Sequence, residues 1–449
     1  MSGLPLGWST TSLDNLVRLK TGPFGSSLHR SDYVAGQVPL INPSHILNGK
    51  LVPDPEISVS AVVCQRLSEC LLQAGDVVMG RRGEMGRCAV VPDAAAGWMC
   101  GTGSVTLRPS QAIRPSFLQR LLTSPETVAR LNSASVGSTM VNLNQRVLLD
   151  LPARLPPLEE QQRIVDKLEA VLGRVDACRD RLDRVGPLLQ RFRQSVLAAA
   201  VSGQLISAWR GLPTSAEWEK TTLGQLAEIG TGSTPLRSKA AFFADQGTPW
   251  ITSSATSRQF IDTADEYVTD LAIKAHRLRV YPPGTLLVAM YGEGKTRGQV
   301  AELSIHATIN QACSAILVDE SAVLKDFVKL ALRANYLAMR LLAEGGNQPN
   351  LNLSKVRSVP LLLPSLDEQA ELVRRVRHLF GLADRLEHRL ATALNTAGRL
   401  TPAVLAKAFR GDLVPQDPTD EPAQALLDRL RAARASEPPG RRRRQPAGA

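Results

Sequence analysis

The sequence predicts an α+β protein: two similar α/β domains, separated and joined by two long helices that form an antiparallel coiled coil, with a pseudo-two-fold relation between the halves. Three observations predict it. A long segment recurs at a constant offset, each copy carries a heptad-spaced apolar seam, and the segments ahead of the copies also correspond. At 449 residues the chain exceeds one ordinary core, so two or more domains are expected on length alone.

Residues 1–155 read as the first domain. It opens on WSTTSLDNLVRLKTG (Trp8 to Gly22) and carries GDVVMGRRGEMGR from Gly75, a glycine-tight turn between apolar strands with cations beside the glycines. Residues 156–208 form the first shared helical spacer. Leu-Pro ahead of Leu-Glu-Glu-Gln gives an extended entry, then acidic residues in the first turn, where they complement the helix dipole. Apolar residues follow at Ile164, Leu168, Val171, Val175, Cys178, Leu182, Val185, Leu189, Phe192 and Val196, in alternating steps of four and three. That is a heptad seam. Gly186-Pro187 is expected to kink or split this helix.

Residues 209–363 form the second domain. WEKTTLGQLAEIGTG (Trp218 to Gly232) answers the opening of the first at an offset of 210, and GTLLVAMYGEGKT from Gly284 answers the mid-domain turn. Within it, VAMYGEGKTRG ends like a phosphate-cradling P-loop. The full pattern needs a glycine five positions before Gly294, where Ala289 stands, and TRGQVAELSIHATINQ alternates like a strand where a long helix should follow. Gly292-Glu293 lies over Gly83-Glu84, and a P-loop has no reason to have a twin without lysine. The turn reads as one of a pair.

Residues 364–418 form the second shared spacer. LPSLDEQAELVRRVRHLFGLADRLEHRL from Leu363 repeats LPPLEEQQRIVDKLEAVLGRVDACRDRL from Leu155. The offset of 208 holds without insertion from Asn142-Leu143-Asn144 against Asn350-Leu351-Asn352 through Gly203-x-Leu205 against Gly411-x-Leu413. The seam recurs as Leu372, Val376, Leu379, Ala383, Leu386, Leu390, Ala393, Ala397, Leu400 and Val404, all apolar. Gly398 and Pro402 are expected to kink or split this copy. Residues 419–449 read as a short helix and a basic tail, GRRRRQPAGA, expected to be disordered. A helix of about 32 residues spans roughly 48 Å at 1.5 Å per residue. Such a rod can hold two readers over sites about 34 to 36 Å apart, one turn of B-DNA.

Bulk composition narrows the partners. The formal net charge is +11 and the pI near 9.6, which suits a polyanion, because each neutralised phosphate releases counterions. No run of about twenty apolar residues appears and the first fifteen residues have no apolar signal core, so neither membrane nor export is expected. The six cysteines form no C-x-x-C pair and read as reduced thiols. The six histidines are scattered, and no metal site is expected.

Trp-x4-Leu-x2-Leu opening each half, the glycine-rich mid-domain turn, Asn-Leu-Asn leading to Leu-Pro-x-Leu-x-Glu-Gln, and the Val-Leu-Ala-x-Ala-x-x-Gly-x-Leu ending occur together here. With them the chain resembles the DNA-specificity subunit of Type I restriction–modification enzymes over nearly all of residues 1–432. The resemblance implies that the two domains are target-recognition domains, each reading half of a split, asymmetric DNA site. It implies that the helices set the spacer and dock two adenine-N6 methyltransferase subunits, with room for a restriction and translocation subunit, in a prokaryotic cytoplasm. On that reading this chain carries no cofactor: S-adenosylmethionine, and any ATP and Mg, belong to partner subunits. The sequence's own absences agree. INPSHI at Ile41 has Ser44 and His45 where a methyltransferase motif needs proline and an aromatic residue, and no full nuclease or P-loop motif is present.

Arg and Lys can bridge guanine O6 and N7, Asn and Gln can bridge adenine, and Ser or Thr mostly hold phosphates. The DNA-contact candidates are therefore Lys20, Ser26, Ser27, His29 and Arg30, then Arg81, Arg82 and Arg87, in the first domain. In the second they are Ser233, Arg237, Lys239, Lys295 and Arg297. Glu160, Gln161, Glu368 and Gln369 are shared between halves and are candidates for facing a partner subunit, with helix capping as the alternative. Asn142, Asn144, Asn350 and Asn352 are expected to stabilise the domain-to-helix junctions. A coiled-coil adaptor without DNA binding and an enzyme using GEGKT on a nucleotide stay open at this point. No catalytic residue is assigned.

Overall fold

The structure is a computed structural model and describes residues 3–23, 27–135, 143–211, 218–292, 295–343 and 350–436. The basic tail and Asn142 lie outside these residues. The chain divides into two compact units: residues 1–182 with 393–449, and residues 183–392. This division differs from the segments drawn on sequence, which kept each spacer whole. Each unit is one domain plus a part of both spacers, because each packs the start of one spacer and the end of the other.

In the first unit, the strands Val17–Thr21, Ser104–Pro109, Val77–Gly80 and Cys88–Val90 form an antiparallel sheet in that spatial order. A second sheet runs Met99–Cys100, Val38–Ile41, Ser58–Val59, Tyr33–Val34, its first pair parallel. The second unit repeats both. Ala227–Thr231, Cys313–Val318, Leu286–Ala289 and Val300–Leu303 form the first sheet, extended by Phe260–Ile261, and Thr308–Ile309, Thr248–Ile251, Glu266–Val268 and Phe243–Ala244 form the second.

The central strands explain why these sequences read as apolar runs without alternation. All four residues of Val77–Gly80 are buried, as are all four of Leu286–Ala289. Val77 and Met79 enter the core shared with the helix Pro115–Leu122, while Val78 enters the core facing the second sheet. Leu286 and Val288 divide from Leu287 in the same way. A strand covered on both faces has no solvent side to mark with polar residues.

A two-stranded ribbon closes each domain onto its spacer, Ser9–Ser12 with Pro152–Leu155 and Glu219–Thr222 with Pro360–Leu363. The first spacer is helical over Leu158–Asp183 and again over Val185–Val201. The break at Arg184 follows from Pro187, which has no N–H to give the Asp183 carbonyl. The second spacer runs unbroken as Leu366–Arg410 with Pro402 inside it, so the kink expected there is not formed as a break. Gly398 and Pro402 are both exposed, and water can serve the carbonyl that Pro402 leaves without a donor.

Within each unit the spacer parts pack together. Ile164, Leu168 and Leu172 share a core with Leu405, Ala408 and Phe409, and the Phe409 ring lies 5.5 Å from that of Phe117. In the second unit Val196 and Ala200 share a core with Leu372, Val373 and Val376. The direction can be read from the bonds. Arg193 donates to Glu387 at 3.1 Å and Arg375 to the Leu205 carbonyl at 2.8 Å, so twelve residues forward along one spacer match twelve back along the other. The pair is antiparallel. The seam differs from the expected one in two ways. Cys178, Leu386 and Leu400 are exposed, whereas Val165 and Leu172 are buried, because the helix packs on its domain as well as on its partner and needs a wider face. No helix among the described residues is long and apolar enough to cross a membrane.

Candidate nucleic-acid interface

Four turns meet at one end of the first domain. The Gly22 N–H donates to Ser104, and a Cβ on Gly22 would stand 2.0 Å from the Gly101 carbonyl oxygen. Gly101 N–H donates to Ile41 at 2.9 Å, and the Thr102 hydroxyl to Pro23 at 3.0 Å. Arg81 N–H donates to Gly103 at 2.8 Å, and Leu143 N–H returns to the Arg81 carbonyl at 3.1 Å. Turns 22–23, 42–43, 80–87 and 101–103 are thus pinned together by backbone bonds and the Thr102 hydroxyl.

The second domain builds the same knot from different side chains. A Cβ on Gly232 would lie 1.6 Å from the Ile309 carbonyl oxygen. Asn310 N–H donates to Ile251 at 2.9 Å, Met290 N–H to Ala312 at 2.7 Å, and Leu351 N–H to the Met290 carbonyl at 3.0 Å. Each bond has its counterpart above, one repeat earlier. Glycine is needed at positions 22 and 232 because two backbones touch there. The strands on either side of the motif that looked like a P-loop tail, Leu286–Ala289 and Val300–Leu303, are antiparallel partners, so a strand follows it where a P-loop needs a helix. Its twin joins Val77–Gly80 to Cys88–Val90.

The candidates separate by where their charge is spent. Arg81 is buried, with Nε and Nη2 both on the Leu143 carbonyl at 3.0 and 2.8 Å, and burial followed by the charge of Arg82 holds its pKa down. The guanidinium ties the turn to the Asn-Leu-Asn segment. Lys20 pairs with Glu69, Arg87 with Glu84 at 2.7 Å, and Arg237 with Glu266 while lying 5.0 Å from the rings of both Phe243 and Trp250. Lys239 lies 4.6 Å over Phe242. Ser27 and Ser233 give their carbonyls to Arg66 and Trp250. Arg297 is half-buried, with Nη2 at 3.5 Å from the Gly292 carbonyl. His29 and Arg30 are exposed at the start of a turn. Arg30, Arg82 and Lys295 are exposed and carry no ion pair among the described residues. Ser26 lies outside the described residues.

Sequence reading missed Asn42 and Thr102, and their counterparts Thr252 and Gln311, which the knot brings beside the candidate loops. The doubled glycine of Gly101-Thr102-Gly103 was the available signal for one of them.

The shared residues lie at the junctions, not on an outer face. Gln161 is 0 % exposed; its Oε1 accepts from Arg114 N–H at 2.8 Å and its Nε2 donates to Ala112 and Pro156 at 2.9 and 3.1 Å. Gln369, also 0 % exposed, accepts from Leu324 N–H at 2.8 Å and donates to Pro364 at 2.9 Å. Glu160 accepts from the Trp8 indole at 3.0 Å, and Glu368 from that of Trp218 at 3.4 Å. Glu160, Gln161 and Gln369 are buried within their units, where their hydrogen bonds join the start of each spacer to its domain. Glu368, bonded also to Ser365 and paired with Arg210, is turned to the same internal task. Asn144 and Asn352 cap short helices by accepting from Arg146 and Lys355, which holds the same junction.

Two like domains, each with its turns gathered at one end and clamped to a shared helix, define a doubled recognition module. The family profile of the Type I restriction modification DNA specificity domain matches residues 5–184 and again 215–396. The chain belongs to that family of specificity subunits. It is 27% identical to the Type I restriction enzyme StySPI specificity subunit of Salmonella potsdam over 96% of both chains. It is 30% identical to the EcoBI specificity subunit of Escherichia coli over 70% of each. Its fold is similar to that of the HsdS subunit from Thermoanaerobacter tengcongensis, at a TM-score of 0.63 and 21% identity over 92% of this chain and 98% of that one. It is also similar to a chain from a type I restriction–modification system solved to explain complex assembly and conformational transition, at a TM-score of 0.73 and 20% identity over 92% and 100%.

Proposed function

We propose that this chain is the non-catalytic specificity subunit of a Type I restriction–modification complex, each domain reading one half of a split, asymmetric DNA sequence. The observation that carries this is the doubled knot: three backbone bonds recur one for one in the two domains, while the side chains around them differ. One scaffold holding two unlike readers suits one target with two unlike halves. Arg30 and Arg82 in the first domain, and Lys239 and Lys295 in the second, are the candidate cations left for phosphate or guanine. Exposed surface of the antiparallel spacers docks two adenine-N6 methyltransferase subunits, and a restriction and translocation subunit can join them. S-adenosylmethionine, ATP and Mg act on those partners.

Mapping methylated adenines in cells with and without this chain tests the reading. Loss of modification at one split motif is the expected result, and an unchanged methylation map would refute it. An adaptor that touches no DNA would leave the purified complex without salt-dependent DNA affinity.

A further inference from the structure

In the second unit a cavity of about 780 Å³ lies between the spacer segment Val185–Val201, the turn at Arg258 and Gln259, and the end of the helix Lys325–Ala334. A neighbouring hollow of about 400 Å³ shares Arg193, Gln259, Arg333 and Phe380 with it. The charged residues lining the larger cavity are Arg193, Arg258, Lys295 and Arg333; Arg258 lies 3.9 Å from Asp262 and 3.8 Å from Asp265, and Arg377 of the smaller hollow pairs with Asp326. Arg193 is neutralised by Asp384 and Glu387. Lys325 and Lys329 share one carboxylate, Glu302, at 2.8 and 2.9 Å, and the Lys329 ammonium also lies 3.8 Å from the centre of the Phe260 ring.

Arg333 is the residue left over. It is half-buried with its guanidinium 5.6 Å from the Phe380 ring centre, and it makes no hydrogen bond or ion pair among the described residues. Asp384, whose charge reaches it, is already bonded to Arg193, and burial together with the charge of Arg193 pulls the Arg333 pKa down. A guanidinium taken partly out of water without an acceptor is costly, and an anion entering the groove removes that cost. Gln299 lines the same groove with a side-chain oxygen that is buried and has no hydrogen-bond partner; a half-turn of the amide presents two N–H donors there instead. Lys295, exposed on the candidate DNA-facing turn, stands on the rim.

We propose that this groove receives a phosphate of the DNA backbone, with Arg333 as its principal donor, so that the footprint of the second domain continues from the Lys295 turn onto the spacer. The inference rests on the specificity-subunit reading. A diester phosphate fits because it needs one planar cation and a few neutral donors. The contact belongs to one half-site only. At the offset of 210 that superposes Phe117 on Phe327, both buried, the first domain has Gln119 and Thr123 where the second has Lys329 and Arg333.

The test compares the assembled methyltransferase complex carrying wild-type chain, Arg333→Gln or Arg333→Lys, on a duplex bearing the methylated motif, by fluorescence anisotropy across a salt series. Losing one phosphate contact lowers the slope of log K against log salt by about 1 and the affinity on the order of ten-fold at 0.1 M salt. Arg333→Gln is expected to do both with the methylated motif unchanged, and Arg333→Lys to keep the slope. An unchanged slope in Arg333→Gln overturns the proposal. So does a loss of methyltransferase subunits from the complex at unaltered slope, which would mean that the groove holds an acidic protein surface. A lysine variant as weak as the glutamine one, with a lowered melting temperature, would reduce Arg333 to a packing residue and overturn it as well. If the wild-type complex shows no salt-dependent DNA binding, the specificity-subunit reading itself falls.

Discussion

One substitution made at two equivalent positions should have opposite effects. Glu160 and Glu368 start the two spacers in the same place and each accepts from an indole N–H. Their surroundings differ in what holds the charge. Glu160 is 0 % exposed, its bonding partners are the neutral Trp8 and Gln416, and the nearby Arg163 is engaged by Asp420 at 2.6 Å. Burial raises its pKa against the lowering pull of the Trp8 and Gln416 hydrogen bonds and of Arg163. Burial would also raise Glu368, but the Ser365 N–H and hydroxyl, the Trp218 indole and Arg210 outweigh it and lower the pKa. Glu160→Gln keeps an acceptor for the indole and removes a poorly solvated charge, so at neutral pH it should be neutral or stabilise by up to about 1 kcal/mol. Glu368→Gln removes the charge from the Ser365 bonds and from the pair with Arg210, worth about 2 kcal/mol together. The linkage signs follow. The raised pKa of Glu160 contributes stability that is present below its unfolded value and is lost as pH rises through the folded one. The lowered pKa of Glu368 contributes stability that is present above its unfolded value and is lost as pH falls through the folded one. Melting temperatures of the complex between pH 5 and 8 should show Glu368→Gln below wild type and Glu160→Gln level with or above it. Equal losses at both positions would refute the reasoning.

Gly22→Ala and Gly232→Ala each force a Cβ onto a backbone carbonyl, and each should abolish methylation while leaving subunit assembly intact; a fully modified site in either variant would show that the knot tolerates separation. Arg81→Ala should lower the melting temperature through the two lost bonds to Leu143, whereas Arg82→Ala should leave it unchanged and weaken DNA binding. The reverse pattern in melting and anisotropy would mark Arg81 as a DNA contact. Gln161→Met keeps the side-chain length and deletes three hydrogen bonds, a loss of about 3 kcal/mol. Hydrogen exchange should then accelerate at Arg114, and unchanged protection there would count against the junction role.

The candidate site was legible in part. Glycine-flanked turns with cations are visible in sequence because glycine marks backbone that must turn tightly or touch. The same pattern could not tell Arg81 from Arg82. One residue apart in the chain, they point one into the domain and one into water, and only the position of Leu143, 62 residues on, decides which. Asn42 and Thr102 escaped because their neighbours in the knot come from distant segments.

The sequence by itself determined the doubling, the order of domains and spacers, and the apolar period of each spacer, since a repeat at constant offset and a period near 3.5 residues are properties of the chain alone. It also showed where a helix donor is missing, at Pro187 and at Pro402, but the helix breaks only beside the first. Only the tertiary structure decided that the compact units cut across the repeats, that the shared Glu and Gln residues turn inward, and that the second domain keeps an unneutralised arginine beside its spacer. Those outcomes depend on which carbonyl, carboxylate or ring arrives from far along the chain, and no local pattern carries that information.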